Sequence, residues 1–143
     1  MDEVNDTRAV PAWFWVVAVL ALLFEVMGCV MYYTQVSADP ASLPIDQRAM
    51  WDATPTWMVA AYAVAVWVGL AGAVLLLLRH RHAVTLLLVS LIAVIVQFGG
   101  ILVVPRLRDV VPPSAYLGPI VIALIAYGIW HFARHARKQG WLR

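Results

Sequence analysis

Four apolar runs, each about twenty residues long, dominate this chain and leave few folds open to it. They lie near residues 12–35, 56–78, 83–104 and 118–133. A helix rises 1.5 Å per residue, so ~20 residues match a hydrocarbon layer of ~30 Å. Composition closes off a soluble alternative. The 143 residues are 64% hydrophobic and 13% charged, whereas soluble domains run near 45–50% apolar and about 25% charged. A globule of this size buries only about 60–70% of its surface, so the excess apolar surface must face lipid. The expected fold is all-α: residues 1–143 form one integral membrane domain, a four-helix antiparallel bundle with short loops.

The connections are punctuated by residues that stop helices. Residues 1–10 are polar and mixed in charge, and read as a short flexible tail before Pro11. Pro40, Pro44 and Pro55 break residues 36–55 into a loop. Within it, residues 44–53 fit either a short interfacial helix, with Ile45, Ala49 and Ala53 on one face, or an ordinary solvated loop. Thr54 suits an N-cap with Pro55 following it. Arg79-His80-Arg81-His82 is a tight basic turn, Arg106 to Pro113 a short loop, and Arg134 to Arg143 a basic amphipathic tail. Val36-Ser37-Ala38 resembles a signal-peptide cleavage site, but the acidic start, the long apolar run and Glu25 inside it argue against cleavage.

Charge placement orients the bundle. Four spans put both termini and the middle turn on one side, with Arg8, Arg79, Arg81, Arg134, Arg137, Lys138 and Arg143. The other side carries Arg48, Arg106 and Arg108. Lys and Arg accumulate on the cytoplasmic side, so both termini are expected there. Trp13, Trp15, Trp57, Tyr116 and Trp130 lie near span ends, where interfacial aromatics belong.

One residue stands out within this frame. Glu25 lies near the middle of the first span, where a charged side chain costs roughly 2.5–3.5 kcal/mol on insertion scales. Ala21, Glu25, Gly28, Cys29 and Tyr32 share a helix face too polar for lipid, so that face must point inward. Glu25 and Gln97 each lie about 20 Å above the start of their spans, counted at 1.5 Å per residue, which predicts a common level. Trp67 and Tyr127 reach nearly that depth from the other side. Ser90, Ala93, Gln97 and Gly100 share a face of the third span. The expected binding residues are therefore Glu25, Gln97, Trp67 and Tyr127 in one mid-membrane layer. Intramembrane ionisable groups commonly mark ion, proton or substrate paths. A protonated Glu25 hydrogen-bonded to Gln97 would equally serve as a clip between helices, and Trp67 and Tyr127 as packing. Both readings stay open.

Ala61, Ala65, Gly69 and Ala73 form a small-residue stripe on the second span, suited to close helix packing and to a homo-oligomer interface. His131 and His135 have the spacing of two metal ligands on one helix face, but the interleaved arginines would repel a cation and no carboxylate is near, so no metal is expected. Arg79, Arg81, Arg134 and Arg137 are instead expected to contact lipid phosphates. The lone Cys29 excludes an intramolecular disulfide and lacks a histidine at its depth. No catalytic motif or cofactor box occurs. Neither an enzyme nor a cofactor is expected, and the partners are the lipid bilayer and a small solute rather than nucleic acid.

The polar break followed by Met27-Gly28-Cys29, the W-x4-Y-A-x-A-V-W pattern from Trp57 to Trp67, the basic turn after it, and Val94-Ile95-Val96-Gln97-Phe98 together resemble a group of small four-span proteobacterial proteins catalogued as sugar transporters or DoxX-like proteins. The resemblance implies a multi-pass protein of the bacterial inner membrane that handles a small, sugar-like solute. It assigns no functional residue.

Two function classes follow. One is transport or binding of a small solute, with proton coupling through Glu25, hydrogen bonding by Gln97, and Trp67 and Tyr127 lining the cavity. Four helices are too few to enclose a sugar-sized path, so this class calls for an oligomer. The other is a non-catalytic accessory or scaffold subunit of a larger membrane complex, docked through the small-residue stripe. A lipid or quinone binder is a third reading that no residue pattern singles out.

Overall fold

The computed structural model describes residues 9–143. Most of the expected polar tail, with Arg8 of the charge comparison, lies outside the described residues. The elements are α1 (Ala12–Ser37), α2 (Ile45–Ala53), α3 (Thr56–Leu77), α4 (Ala83–Val103), α5 (Pro105–Val110) and α6 (Leu117–Lys138), with short 3-10 turns at Pro40–Ser42 and Pro113–Tyr116. There is no strand among the described residues. Four helices, α1, α3, α4 and α6, are long and apolar enough to cross a membrane. Their outer faces carry exposed Leu20, Leu23, Val64, Ile92, Ile95 and Leu124. Water would not tolerate so continuous an apolar surface, and lipid requires it. This is an all-α, multi-pass membrane protein.

The span bounds match the apolar runs to within a few residues, and the departures fall where local chemistry competes. α5 replaces the expected loop after Pro105, because Pro105 occupies the first turn of a new helix. α2 is a helix. Its half-buried Ala49 and Ala53 border a shallow hollow with Arg106 and Asp109 of α5, while Ile45 points out to its surroundings. Pro55, not Thr54, is the N-cap of α3. Thr54 ends α2 instead, and its hydroxyl donates to the Met50 carbonyl at 2.7 Å. α6 runs five residues past its expected end.

The helices are not arranged as an even square. α3 and α4 are the central pair, α1 leans on α3, and α6 leans on α4. The small residues of α3 make the first contacts close. Ala65, Gly69 and Ala73 are buried inside the bundle and Ala61 is half-buried. Of the two uses expected of the stripe, close helix packing is the one these positions serve within the protomer: the short α3–α4 turn makes these helices neighbours, so small residues on α3 meet α4 and α1.

At the end bearing both termini, an aromatic knot ties α1 to α6. Phe14 is fully buried, with ring centroids 5.6 Å from Phe132 and 6.0 Å from Trp141. Trp13 stands edge-on to Phe132 at 5.5 Å and to Trp141 at 5.3 Å. Trp141 reaches this knot because α6 stops abruptly. Gly140 adopts φ +75°, the Trp141 N–H donates to the Ala136 carbonyl at 3.0 Å, and the Gly140 N–H to Arg137 at 3.1 Å. This is the doubly bonded left-handed helix end that glycine favours. α3 ends the same way with Arg79 at φ 58°. That unusual placement for a residue with a Cβ is tied down on two sides: Arg79 Nε donates to the Trp141 carbonyl at 2.8 Å, and the Arg143 N–H donates to the Arg79 carbonyl at 2.6 Å. The Arg81 N–H returns a bond to the Arg143 carbonyl at 2.7 Å. Gly140→Ala is expected to destabilise the protein by about 1–2 kcal/mol, the cost of a left-handed Cβ. Gly128→Ala, with open space around it, should leave the melting temperature in detergent unchanged.

Candidate functional site

The site is built beyond the aromatic knot, between α1, α3, α4 and α6. α1 presents Ala21, Glu25 and Cys29 inward, all buried, with Gly28 and Tyr32 half-buried on the same face. Glu25 is only 5% exposed although it sits in the middle of a membrane-spanning helix. Its carboxyl lies against the backbone of α3 at Gly69. A Cβ at that position would fall 2.7 Å from Glu25 Cδ and 2.7 Å from Ser90 Oγ. Glu25, Gly69 and Ser90 thus form one tight contact between three helices. The Ser90 hydroxyl donates to the Ala65 carbonyl at 2.6 Å, which fixes the α3–α4 pair beside the carboxyl. Cys29, one turn above Glu25, donates to the Val66 carbonyl at 3.4 Å and fixes α1 on α3.

Glu25 also borders a cavity of about 230 Å³ shared by all four spanning helices. Its walls are mainly apolar, from Phe24, Met27, Val66, Val94, Phe98 and Ile122. Polar groups enter at a few points only: Glu25 and Ser90 at one end, Gln35, Tyr62 and Gln97 elsewhere on the wall. The arrangement can hold a small molecule in a largely apolar environment and offer it hydrogen bonds from isolated positions, with a carboxyl among them.

Of the four expected binding residues, Glu25 and Gln97 line this cavity. They do not meet at one level. Glu25 abuts Ser90, and Gln97 lies seven residues further along α4, about 10 Å at helical rise. Among the described residues no hydrogen bond joins the two. Counting depth from the span starts fails because the spans do not start level: Glu25, 13 residues after the first residue of α1, meets Ser90, which is only 7 residues after the first residue of α4. Trp67 and Tyr127 do not line the cavity. Each is 51% exposed on the outer surface of the bundle. Trp67 stands edge-on to Tyr32 at 6.4 Å, and Tyr127 stacks on His131 at 6.0 Å. Residues that the sequence reading left out of the site are Tyr62 and Gln35. Both are polar residues at or near the ends of apolar runs, a signal that interfacial positions share.

Arg79, Arg81, Arg134 and Arg137 all lie at the end with the termini. Arg81, Arg134 and Arg137 are exposed, and Arg134 lies over the Trp130 ring at 5.6 Å. Arg79 is half-buried and committed to the Trp141 carbonyl. His131 and His135 turn to separate aromatic partners, Tyr127 and Trp141. Among the described residues, no three His, Cys, Asp or Glu side chains gather as a metal-binding group. No protein-family model, curated protein or solved structure matches the chain.

Proposed function

We propose that this membrane protein binds, and by exchange transports, a small neutral solute within the bilayer, with Glu25 as the group that meets it and exchanges a proton. The observation that carries the reading is a carboxyl buried at mid-bundle on the wall of a mainly apolar cavity. Intramembrane carboxyls are expensive and mark functional paths by default. The cavity refines the solute. At about 230 Å³ it lies below the roughly 300–1,000 Å³ of drug-sized sites. Its lining suits an apolar body with one or two hydrogen-bonding groups better than a molecule hydroxylated all round, because unpaired hydroxyls against Val94, Phe98 and Ile122 would go unsatisfied.

A second reading, an accessory subunit in which Glu25 is a buried clip, draws support from the packed contact of Glu25 with Gly69 and Ser90. Glu25→Gln separates the two, since glutamine keeps the shape and can hydrogen-bond. In proteoliposomes containing a trapped pH indicator, wild type is challenged with monosaccharides, short-chain alcohols and a benzoquinone. Solute-dependent proton movement that Glu25→Gln abolishes, with elution profile and melting temperature retained, is the expected result. A folded wild type inert to every solute would transfer the case to the accessory subunit, and a Glu25→Gln variant as active as wild type would strip Glu25 of the proton-exchanging role.

A further inference from the structure

We infer that the Glu25 cavity opens to water at the face carrying α2, through a wall formed by Gln35 and Tyr62, and is shut at the face carrying the termini. The inference rests on the binding reading above and adds the side and chemistry of access. Three adjoining hollows make the route. The Glu25 cavity shares Gln35, Tyr62, Gln97 and Phe98 with a second hollow of about 240 Å³, and this one shares Met50 and Thr54 with a third, of about 550 Å³, beneath α2. Gln35 and Tyr62 border all three. Toward the other face the path ends in the buried cluster of Phe14, Ala18, Leu76, Leu87 and Trp141.

The lining carries chemical information as well. The two outer hollows present Thr34, Gln35, Gln47, Thr54, Tyr62 and Gln97, all neutral hydrogen-bonding groups, and no Asp, Glu, Lys or Arg. Among the described residues, Glu25 is the only such ionisable group on the entire route, at its blind end. A neutral solute can exchange its water for these amides and hydroxyls step by step, whereas an ion would meet no countercharge before Glu25. Access is therefore one-sided, for water and neutral solutes.

The test is thiol labelling of the full chain in sealed vesicles of known orientation. Cys29 is the sole cysteine, so Cys29→Ala gives a blank background. Thr34→Cys at the mouth, Gln97→Cys between the inner hollows and Val94→Cys on the Glu25 cavity are each exposed to a small, membrane-impermeant methanethiosulfonate from one face at a time. Trp67→Cys, on the outer surface of the bundle, is the lipid-facing control. Labelling of Thr34→Cys, Gln97→Cys and Val94→Cys from the α2 face and not from the termini face is the expected result. Labelling of Gln97→Cys or Val94→Cys from the termini face overturns the inference. So does labelling of Thr34→Cys alone, with the inner two positions inert until the protein is denatured. Proton movement in the solute assay alongside inert inner thiols would mean that solute enters sideways from lipid between α1 and α6, which sinks this inference and spares the binding reading.

Discussion

Gly69→Leu is expected to leave no monodisperse protein in a detergent extract. The α3 backbone at Gly69 already touches the Glu25 carboxyl and the Ser90 hydroxyl, so even one added carbon would lie 2.7 Å from each of two neighbours. The two neighbours differ in freedom. Ser90 is held by its bond to the Ala65 carbonyl, whereas the Glu25 carboxyl ends a flexible side chain and can give way toward the cavity for one carbon but not for a branched side chain. Overpacking a dense core costs about 1–3 kcal/mol per modest insertion, occasionally more. Gly69→Ala should fall in that range, as a lowered melting temperature, and leucine beyond it. Gly99→Leu and Gly128→Leu, where nothing lies within 4 Å, should elute as wild type. Wild-type elution by Gly69→Leu would mean that α1 is not seated on α3 as described.

Phe14→Ala is expected to cost about 3–5 kcal/mol, the usual penalty for emptying a fully buried aromatic site. The loss should not be independent of Trp141. The two rings touch edge to face, and both pack on Phe132 or Trp13. Once Trp141 is removed, Phe14 has already lost part of its surroundings. A double-mutant cycle with Trp141→Ala should therefore show a coupling of about 0.5–3 kcal/mol. Thermal denaturation of the two single variants and the double variant in detergent checks it. Strict additivity would place Trp141 away from the knot.

Much of this architecture is legible in residues 12–133, because span length and apolar continuity follow from the thickness of a bilayer and little else competes with them. The inward face of α1 is legible for the same reason: Glu25, Cys29 and Tyr32 cannot all face lipid. Relative depth is not. Apolar runs mark where helices cross, but the stagger of one helix against another is set by side-chain fit. Here the fit of Glu25 and Ser90 about Gly69 seats α1 so that Glu25 meets Ser90 and not Gln97. The faces of Trp67 and Tyr127 were equally hidden, since an aromatic ring at mid-span is at home against lipid or protein. The fold-back of the C-terminal residues depends on one left-handed glycine, a local signal read more easily as the end of a helix than as the start of a contact.

The aromatic knot has a mechanical consequence. From Phe14 to the far end of α1 is about 35 Å of helix, so a tilt of roughly 5° about Phe14 would displace the far end by about 3 Å while barely disturbing the rings themselves. Such a tilt would have to break the bond of Cys29 to the Val66 carbonyl and shift the edge-on pair of Tyr32 and Tyr62, so these two contacts set how far Met31 and Gln35 can travel. In such a molecule the part that recognises a solute and the part that must hold firm are the same helix, separated only by distance from the pivot.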